Sequence, residues 1–506
     1  MGIPSYYRKL LKAHKALVQK AHPGSIDWLW MDFNCLIYHT LRRLPPYTKA
    51  DQDAWEAAFL EEIVTYTKKV VVEVKPSKGV HIAIDGVVPM AKMRQQRLRR
   101  FKSSWLTENG LAEGQVAGQE RWDTNAITPG TAFMAALRKK LEGLCKTKKG
   151  WTISSSDEPG EGEHKVMAKV RNLAINGSNA VYGLDADLIV LSLLTQNTLK
   201  GAGKDTSMWL FREQVEEGAM VRDAFGEEQF QWFSIDGLRD VLKEEVDIRD
   251  YCCAMSFLGN DFLPSSLGLK MREDGHDVLI DLMGVLKVKG IPLVGPDDEI
   301  SAAGLKELLR LLALNEEDRI ESFIRRKVSQ GKPFVGSVLP VGDPNWALAQ
   351  QEEACLLGGG RLIADWRSVY RSRFLGGASV EDTCRVYMQG LHWIWNYYRG
   401  KEVCYNWYYA WDLPPLWSEL SGWKGAWDLP LVVRGADILP VEQLCLVLPP
   451  ASWHLIPSVK HRGLMKKAPY LFPKSFPFCS VGKRWFWECE VEIPIPSIRE
   501  VKAILD

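Results

Sequence analysis

Short apolar runs that end on carboxylates recur along the first half of this chain, and that recurrence constrains it more than any other feature. The runs are WLWMDF (28–33), GVHIAID (79–85), WTISSS (151–156), NAVYGLD (179–185) and MWLFR (208–212). Helical patterns separate them across residues 1–295, which predicts an α/β fold with a mostly parallel central sheet and crossover helices. Asp32 and Asp85 close the first two runs. Asp157, Glu161 and Glu163 follow the third, Asp185 and Asp187 the fourth, and Asp261 stands in FLGNDFLP. In an open parallel sheet, ligands bind beyond the carboxyl ends of the strands. Acids placed there repeatedly converge on one crevice.

Carboxylates crowded into one crevice repel each other. Divalent cations make such crowding tolerable, and an oxygen-only ligand set favours Mg²⁺, with Mn²⁺ able to substitute. Two such ions about 4 Å apart suit in-line phosphodiester hydrolysis. The i,i+2 spacing of Glu161/Glu163 and of Asp185/Asp187 lets a turn entering a helix aim both members of a pair at neighbouring metals. A single Asp after a strand is ordinarily a turn or helix-cap residue. The recurrence is what argues for a metal centre.

Residues 92–102, KMRQQRLRRFK, hold six basic residues and no acidic one. On a helix Lys92, Gln96, Arg99 and Arg100 share one face, at i, i+4, i+7 and i+8. Forked guanidinium donors, an ammonium and an amide suit a doubly charged phosphate group. A solvated basic face is the plainer reading of an isolated run. The closeness of this one to Asp85 ties it to the acidic crevice, and a terminal-phosphate pocket beside a metal centre implies an exonuclease measuring from a 5′ phosphate.

Residues 296–360 read as a connecting region, partly loop, and residues 361–506 as a further region. Within it, 387–417 carry eleven Trp and Tyr residues, most of them expected in the core. The net charge of +1 excludes a global field for a polyanion, so any nucleic-acid site must be a local patch. The ten cysteines form no CxxC pair, which argues against structural zinc and for a reducing compartment. The start of the chain has no apolar leader, Tyr6 stands where a myristoylation motif wants Ser or Thr, and no apolar run approaches the ~18 residues of a membrane span.

These features resemble the Xrn family of 5′→3′ exoribonucleases. The matching words are MGIP, MDFN, IDGVVPMAKMRQQRLRRF, ITPGTAFM, DEPGEGEHKVM, YGLDADLIVL, LFRE and FLGNDFLP. Beyond the connecting region they are WRSVYRSRFLG, GLHWIWNYY, YNWYYAW, PVEQLCLVLPPAS and WECEVEIPIP, in family order. The resemblance implies a PIN/FEN-like nuclease core (1–295) with the second conserved region (361–506) packed on it and bracing the active site. It implies metal ligation by Asp32, Asp85, Glu161, Glu163, Asp185, Asp187 and Asp261, and binding of a 5′ monophosphate by Lys92, Gln96, Arg99 and Arg100.

The chain departs from the family pattern at Tyr38, where the family has a base-stacking His, and His39 follows it. Met90 and Arg94 replace a usual Arg and Asn. Trp407 is the resemblance's candidate partner of Tyr38 in gripping bases. His164 and His392 are expected to be structural, or to support ligands from behind, rather than to be ligands themselves. The expected activity is Mg²⁺-dependent 5′→3′ degradation of 5′-monophosphorylated single-stranded RNA by a monomeric, intracellular and cytoplasmic enzyme. The expected form is a minimal catalytic core, with a viral source a candidate. The alternative is a flap-endonuclease-like enzyme acting on DNA, which shares the acidic centre but uses a threaded arch.

Overall fold

A computed structural model describes residues 5–112, 114, 118–216, 219–426 and 428–506. Its centre is a seven-stranded sheet. In chain order the strands are β1 (Val18–Gln19), β2 (Trp28–Asp32), β3 (Gly79–Ala83), β4 (Trp151–Ser154), β5 (Gly177–Tyr182), β6 (Thr206–Glu213) and β7 (Phe230–Ser234). In space they run β1-β7-β6-β5-β2-β3-β4. The five from β6 to β4 are mutually parallel, whereas β7 runs antiparallel to both β6 and β1. All five runs found in the sequence are strands. The short edge strand β1 and the antiparallel β7 had escaped that reading.

The runs are nearly continuous in apolar residues because both faces of the sheet are covered, as in parallel sheets generally. Trp30, Val181, Leu210 and Phe233 point into one apolar layer, with the helices Gly162–Asn172 and Asp187–Gly201. Their neighbours Met31, Ala180, Tyr182, Phe211 and Trp232 point into the other, with the helix Gln52–Val74.

The connecting region contains two packed helices. Ala302–Leu314 and Glu316–Gly331 are helices. Leu305, Leu308, Leu309 and Leu312, at i, i+3, i+4 and i+7, bury themselves in the same core as Leu191 and Trp393. That core therefore runs without a seam from the sheet into the aromatic helix Val380–Tyr398. A further cluster joins Met93, Leu98 and Phe101 of the basic helix, Met90–Glu108, to Leu444, Leu448, Trp453 and Val501. No described helix is long and apolar enough to cross a membrane.

Candidate active site

The carboxyl ends of β2, β3 and β5, with the start of the helix that follows β4, open on one cavity of about 330 Å³, which falls in the usual range for ligand pockets. Asp32, Asp85, Glu161, Glu163, Asp185 and Asp261 line it on the acidic side. Lys92, Gln96, Arg99 and Arg100 line it on the basic side, with Tyr38, Arg42 and Asn34 at its margin. Asp187 is buried, and it lies close enough to Asp32 to act on its charge. Asp157 does not join the acids: it is exposed and pairs with Arg138. It stands past the end of β4 on the outer edge of the sheet, where the chain has yet to turn inward through Pro159–Glu161.

Each acid has a local cause. The helix Gly162–Asn172 begins immediately after Glu161, and the Gly162 N–H donates to Asp85 Oδ1 at 2.7 Å. A carboxylate is favoured at that end of a helix dipole. Gly162 must be glycine, since a Cβ there would sit 2.5 Å from Asp32 Oδ1. Asp187 opens the helix Asp187–Gly201 and accepts from the Leu188 N–H at 3.1 Å. Asp261 follows Asn260, whose Oδ1 accepts from the N–H groups of Phe262 and Leu263, both at 2.9 Å, closing the turn that aims it.

Burial, then the neighbouring charges of Asp85, Asp185 and Asp187, raise Asp32 well above the usual carboxylate range. Glu163 is raised well above it too, by burial and by Glu161 and Asp32. Burial and Asp185 push Asp187 up to about 7. Ligand oxygens of Asp32, Asp85 and Glu163 all lie within 4.8 Å of one another, as do ligand atoms of Glu161, Glu163 and His164. Glu163 belongs to both groups. These clusters can hold metal: crowded, buried carboxylates that resist ionisation alone are what a hard divalent cation stabilises. A ring nitrogen of His164 stands within 4.8 Å of the Glu161 and Glu163 oxygens, and burial holds its basicity well below the usual imidazole range.

The basic helix divides its charges between two tasks. Lys92 Nζ lies 2.6 Å from Glu161 Oε2 and 2.8 Å from Asp261 Oδ2. Burial alone would discharge it, but Asp261, Glu161 and Glu163 outweigh that and hold the ammonium charged. Gln96 and Arg100 are buried against the cavity, and Gln96 Oε1 and Arg100 Nη1 have no partner among the described residues. Arg99 is exposed at the rim. The other three cations bind the second region. Arg97 donates to the carbonyls of Pro494 (2.9 Å), Leu446 (2.6 Å) and Leu471. Lys102 donates to those of Phe486 and Cys489, both at 2.7 Å, and Arg94 to Asp412 at 3.0 Å.

Sequence similarity agrees with this architecture. Residues 1–199 match the family model described as XRN 5'-3' exonuclease N-terminus, and residues 370–503 match the one described as Xrn1 helical domain. The chain belongs to the Xrn family. It is 28% identical to human 5'-3' exoribonuclease 1 over 98% of this chain and 33% of the relative. It is 29% identical to the 5'-3' exoribonuclease 2 of Eremothecium gossypii over 65% of this chain and 43% of the relative. To the 5'-3' exoribonuclease 2 of Candida albicans it is 24% identical over the whole chain and 72% of the relative. The chain thus spans between a third and a half of the length of the first two.

Of the two aromatic residues that the Xrn resemblance put forward, Tyr38 lines the cavity and is 38% exposed. Among the described residues Trp407 does not line it. Trp407 is buried, its ring stacked on Trp393 at 5.1 Å and packed against Gly390. Trp393 occupies one face of the ring, so the structure does not present Trp407 to the cavity as an open stacking platform.

Sequence reasoning missed three supports. Asn34 and Asp85 hold each other reciprocally, Nδ2 to Oδ2 at 2.9 Å and backbone N–H to Asn34 Oδ1 at 3.1 Å. Lys165 Nζ ties the Ile84 and Ser155 carbonyls, both at 2.8 Å, and so joins the ends of β3 and β4. Arg42 stands one helical turn beyond Tyr38 on the cavity margin. The words MDFN and GEGEHK contain the first two, and only their neighbours in space reveal the roles.

Proposed function

We propose that this chain hydrolyses 5′-monophosphorylated single-stranded RNA from its 5′ end, releasing nucleoside 5′-monophosphates with two Mg²⁺ ions, or Mn²⁺ in their place. The observation that carries this reading is one cavity with a carboxylate wall and a phosphate-sized set of donors facing it. The names of the relatives, 5'-3' exoribonuclease 1 and 2, support it.

In this reading Asp32, Asp85, Glu161, Glu163, Asp185, Asp187 and Asp261 hold the ions. Bound divalent cations would supply an activated water and stabilise the leaving oxygen. Gln96, Arg99 and Arg100 receive the terminal phosphate, and the unpartnered Arg100 Nη1 is a donor waiting for it. Lys92, already on Glu161 and Asp261, stands between phosphate and acids and offers its ammonium to both. Tyr38 offers a ring face to a base near the end. A hydroxyl end brings no charge to these donors, and a triphosphate or cap overfills the pocket and displaces the first scissile phosphate.

The test offers 5′-hydroxyl, 5′-monophosphate and 5′-triphosphate forms of one RNA and one DNA, with Mg²⁺ and with a chelator. Fast release of mononucleotides from monophosphate RNA alone, and only with metal, is the expected result. Equal rates on all three RNA ends would overturn the end-group reading, and cleavage of branched DNA in preference to RNA would favour the flap-endonuclease alternative.

A further inference from the structure

Glu161 is 1% exposed, and both of its oxygens are engaged. Oε2 takes Lys92 from the basic helix. Oε1 accepts from the Tyr397 phenol at 2.9 Å, across 236 residues of sequence. The Tyr397 ring lies nearly flat on the His164 imidazole, with centroids 3.7 Å apart and planes at 25°. Trp393 and Phe262 hold the same ring, at 4.9 and 5.7 Å. One side chain of the aromatic helix thus touches two of the three members of the Glu161–Glu163–His164 group, and packing locks its own orientation.

We propose that Tyr397 is a positioning residue of the metal centre, through which the second conserved region presets the orientation of Glu161 and of its neighbour His164. The inference rests on the reading of the acids as a metal site. The buried phenol O–H donates to Glu161 Oε1, and the carboxylate accepts it. That donation selects one rotamer of Glu161, with Oε1 on the phenol and Oε2 turned to Lys92. The ring on His164 fixes the imidazole plane in the same way. Partners that orient metal ligands are worth about 10–100-fold in metal affinity. The centre is therefore complete only when the helix Val380–Tyr398 has docked, although it carries none of the proposed ligands.

The test is a titration of the full chain with Mn²⁺, free ion followed by electron paramagnetic resonance, in wild type and in Tyr397→Phe, which keeps the ring and removes the donor. A loss of affinity of about tenfold is expected. Tyr387→Phe is the comparison. It removes a buried phenol from the same helix, one packed on Tyr409 and Trp417 rather than on the acids, and should bind Mn²⁺ as wild type does. Because Tyr397 acts through Glu161, the double variant Tyr397→Phe/Glu161→Gln should bind no more weakly than Glu161→Gln alone. The ratio of rates on monophosphate and hydroxyl ends should be unchanged in Tyr397→Phe. Wild-type affinity in Tyr397→Phe, or full additivity in the double variant, would overturn the proposal and leave the metal reading standing. Absence of Mn²⁺ binding in the wild type would overturn both.

Discussion

Arg97 and Arg100 lie three residues apart on one helix, and both are buried, yet they do opposite things with the same guanidinium. Arg97 spends its donors on three carbonyls of the region 446–494. Arg100 faces the cavity, keeps Nη1 unpartnered, and is drawn down to about 10 by burial. A buried cation with its donors satisfied within the fold is part of the brace. One left unsatisfied at a cavity wall is held ready for an anion. The same division separates Arg94 and Lys102, which face the second region, from Lys92 and Arg99, which face the acids.

The largest expected effect lies across the cavity from the arginines. If the basic face holds substrate and the acids hold metal, Asp185→Ala or Asp187→Ala should cut turnover by at least about 10²–10³-fold, the range for losing one preorganised electrostatic group. RNA binding should be largely retained. Single-turnover rates at saturating Mg²⁺ decide it, and near-normal turnover in either variant would sink the metal assignment.

Next comes the arginine pair itself. Arg97→Leu strands the buried carbonyls of Leu446 and Leu471, each worth about 1–3 kcal/mol, so denaturant unfolding should register a loss of about 2 kcal/mol or more. Arg100→Leu should cost less, under about 1 kcal/mol, because the buried Nη1 it removes already lacks a partner. The catalytic readout should invert that order. The monophosphate-to-hydroxyl rate ratio should collapse in Arg100→Leu and Arg99→Ala, and persist in whatever fraction of Arg97→Leu folds. A ratio that survives in Arg100→Leu would return this face to a solvated basic surface.

A third, smaller effect concerns pH. Burial, with Asp185, puts Asp187 at about 7, and Asp32 and Glu163 are also raised. A carboxyl whose folded value is raised stabilises the fold below its unfolded value near ~4, and that contribution is lost as pH climbs through the folded value. The metal-free protein should therefore lose thermal stability between about pH 4 and 7, and Mg²⁺ should restore more of it as pH rises. Melting curves in chelator and in Mg²⁺ from pH 5 to 8 test the sign. A metal-free midpoint that rises over this range would contradict it.

The smallest effect is at Tyr38. Loss of one base-stacking ring costs about 1–3 kcal/mol. Tyr38→Ala should weaken short substrates by that amount, and Tyr38→Phe should not. Equal damage from both would transfer the role from the ring face to the phenol.

Strand runs and the acids at their ends were legible in the sequence because a parallel sheet covered on both faces demands unbroken apolar runs, and its ligands gather at one edge. The cavity face of the basic helix was legible because i, i+4, i+7 and i+8 share a side whatever the helix packs against. Other assignments needed neighbours distant in the chain. Six cations crowd residues 92–102, and their spacing groups Lys92, Arg99 and Arg100 without saying what occupies the opposite side. Only the docking of 438–505 made Arg97 and Lys102 a brace. Trp407 reads like any exposed platform until Trp393 covers its face, and Asp157 like any strand-end acid until the chain carries it to Arg138. Tyr397 is one aromatic among eleven, and nothing local marks it. Its place on Glu161 exists because the core runs unbroken from the sheet into the helix that carries it, and hydrogen bonds across such a distance are decided by packing rather than by sequence pattern.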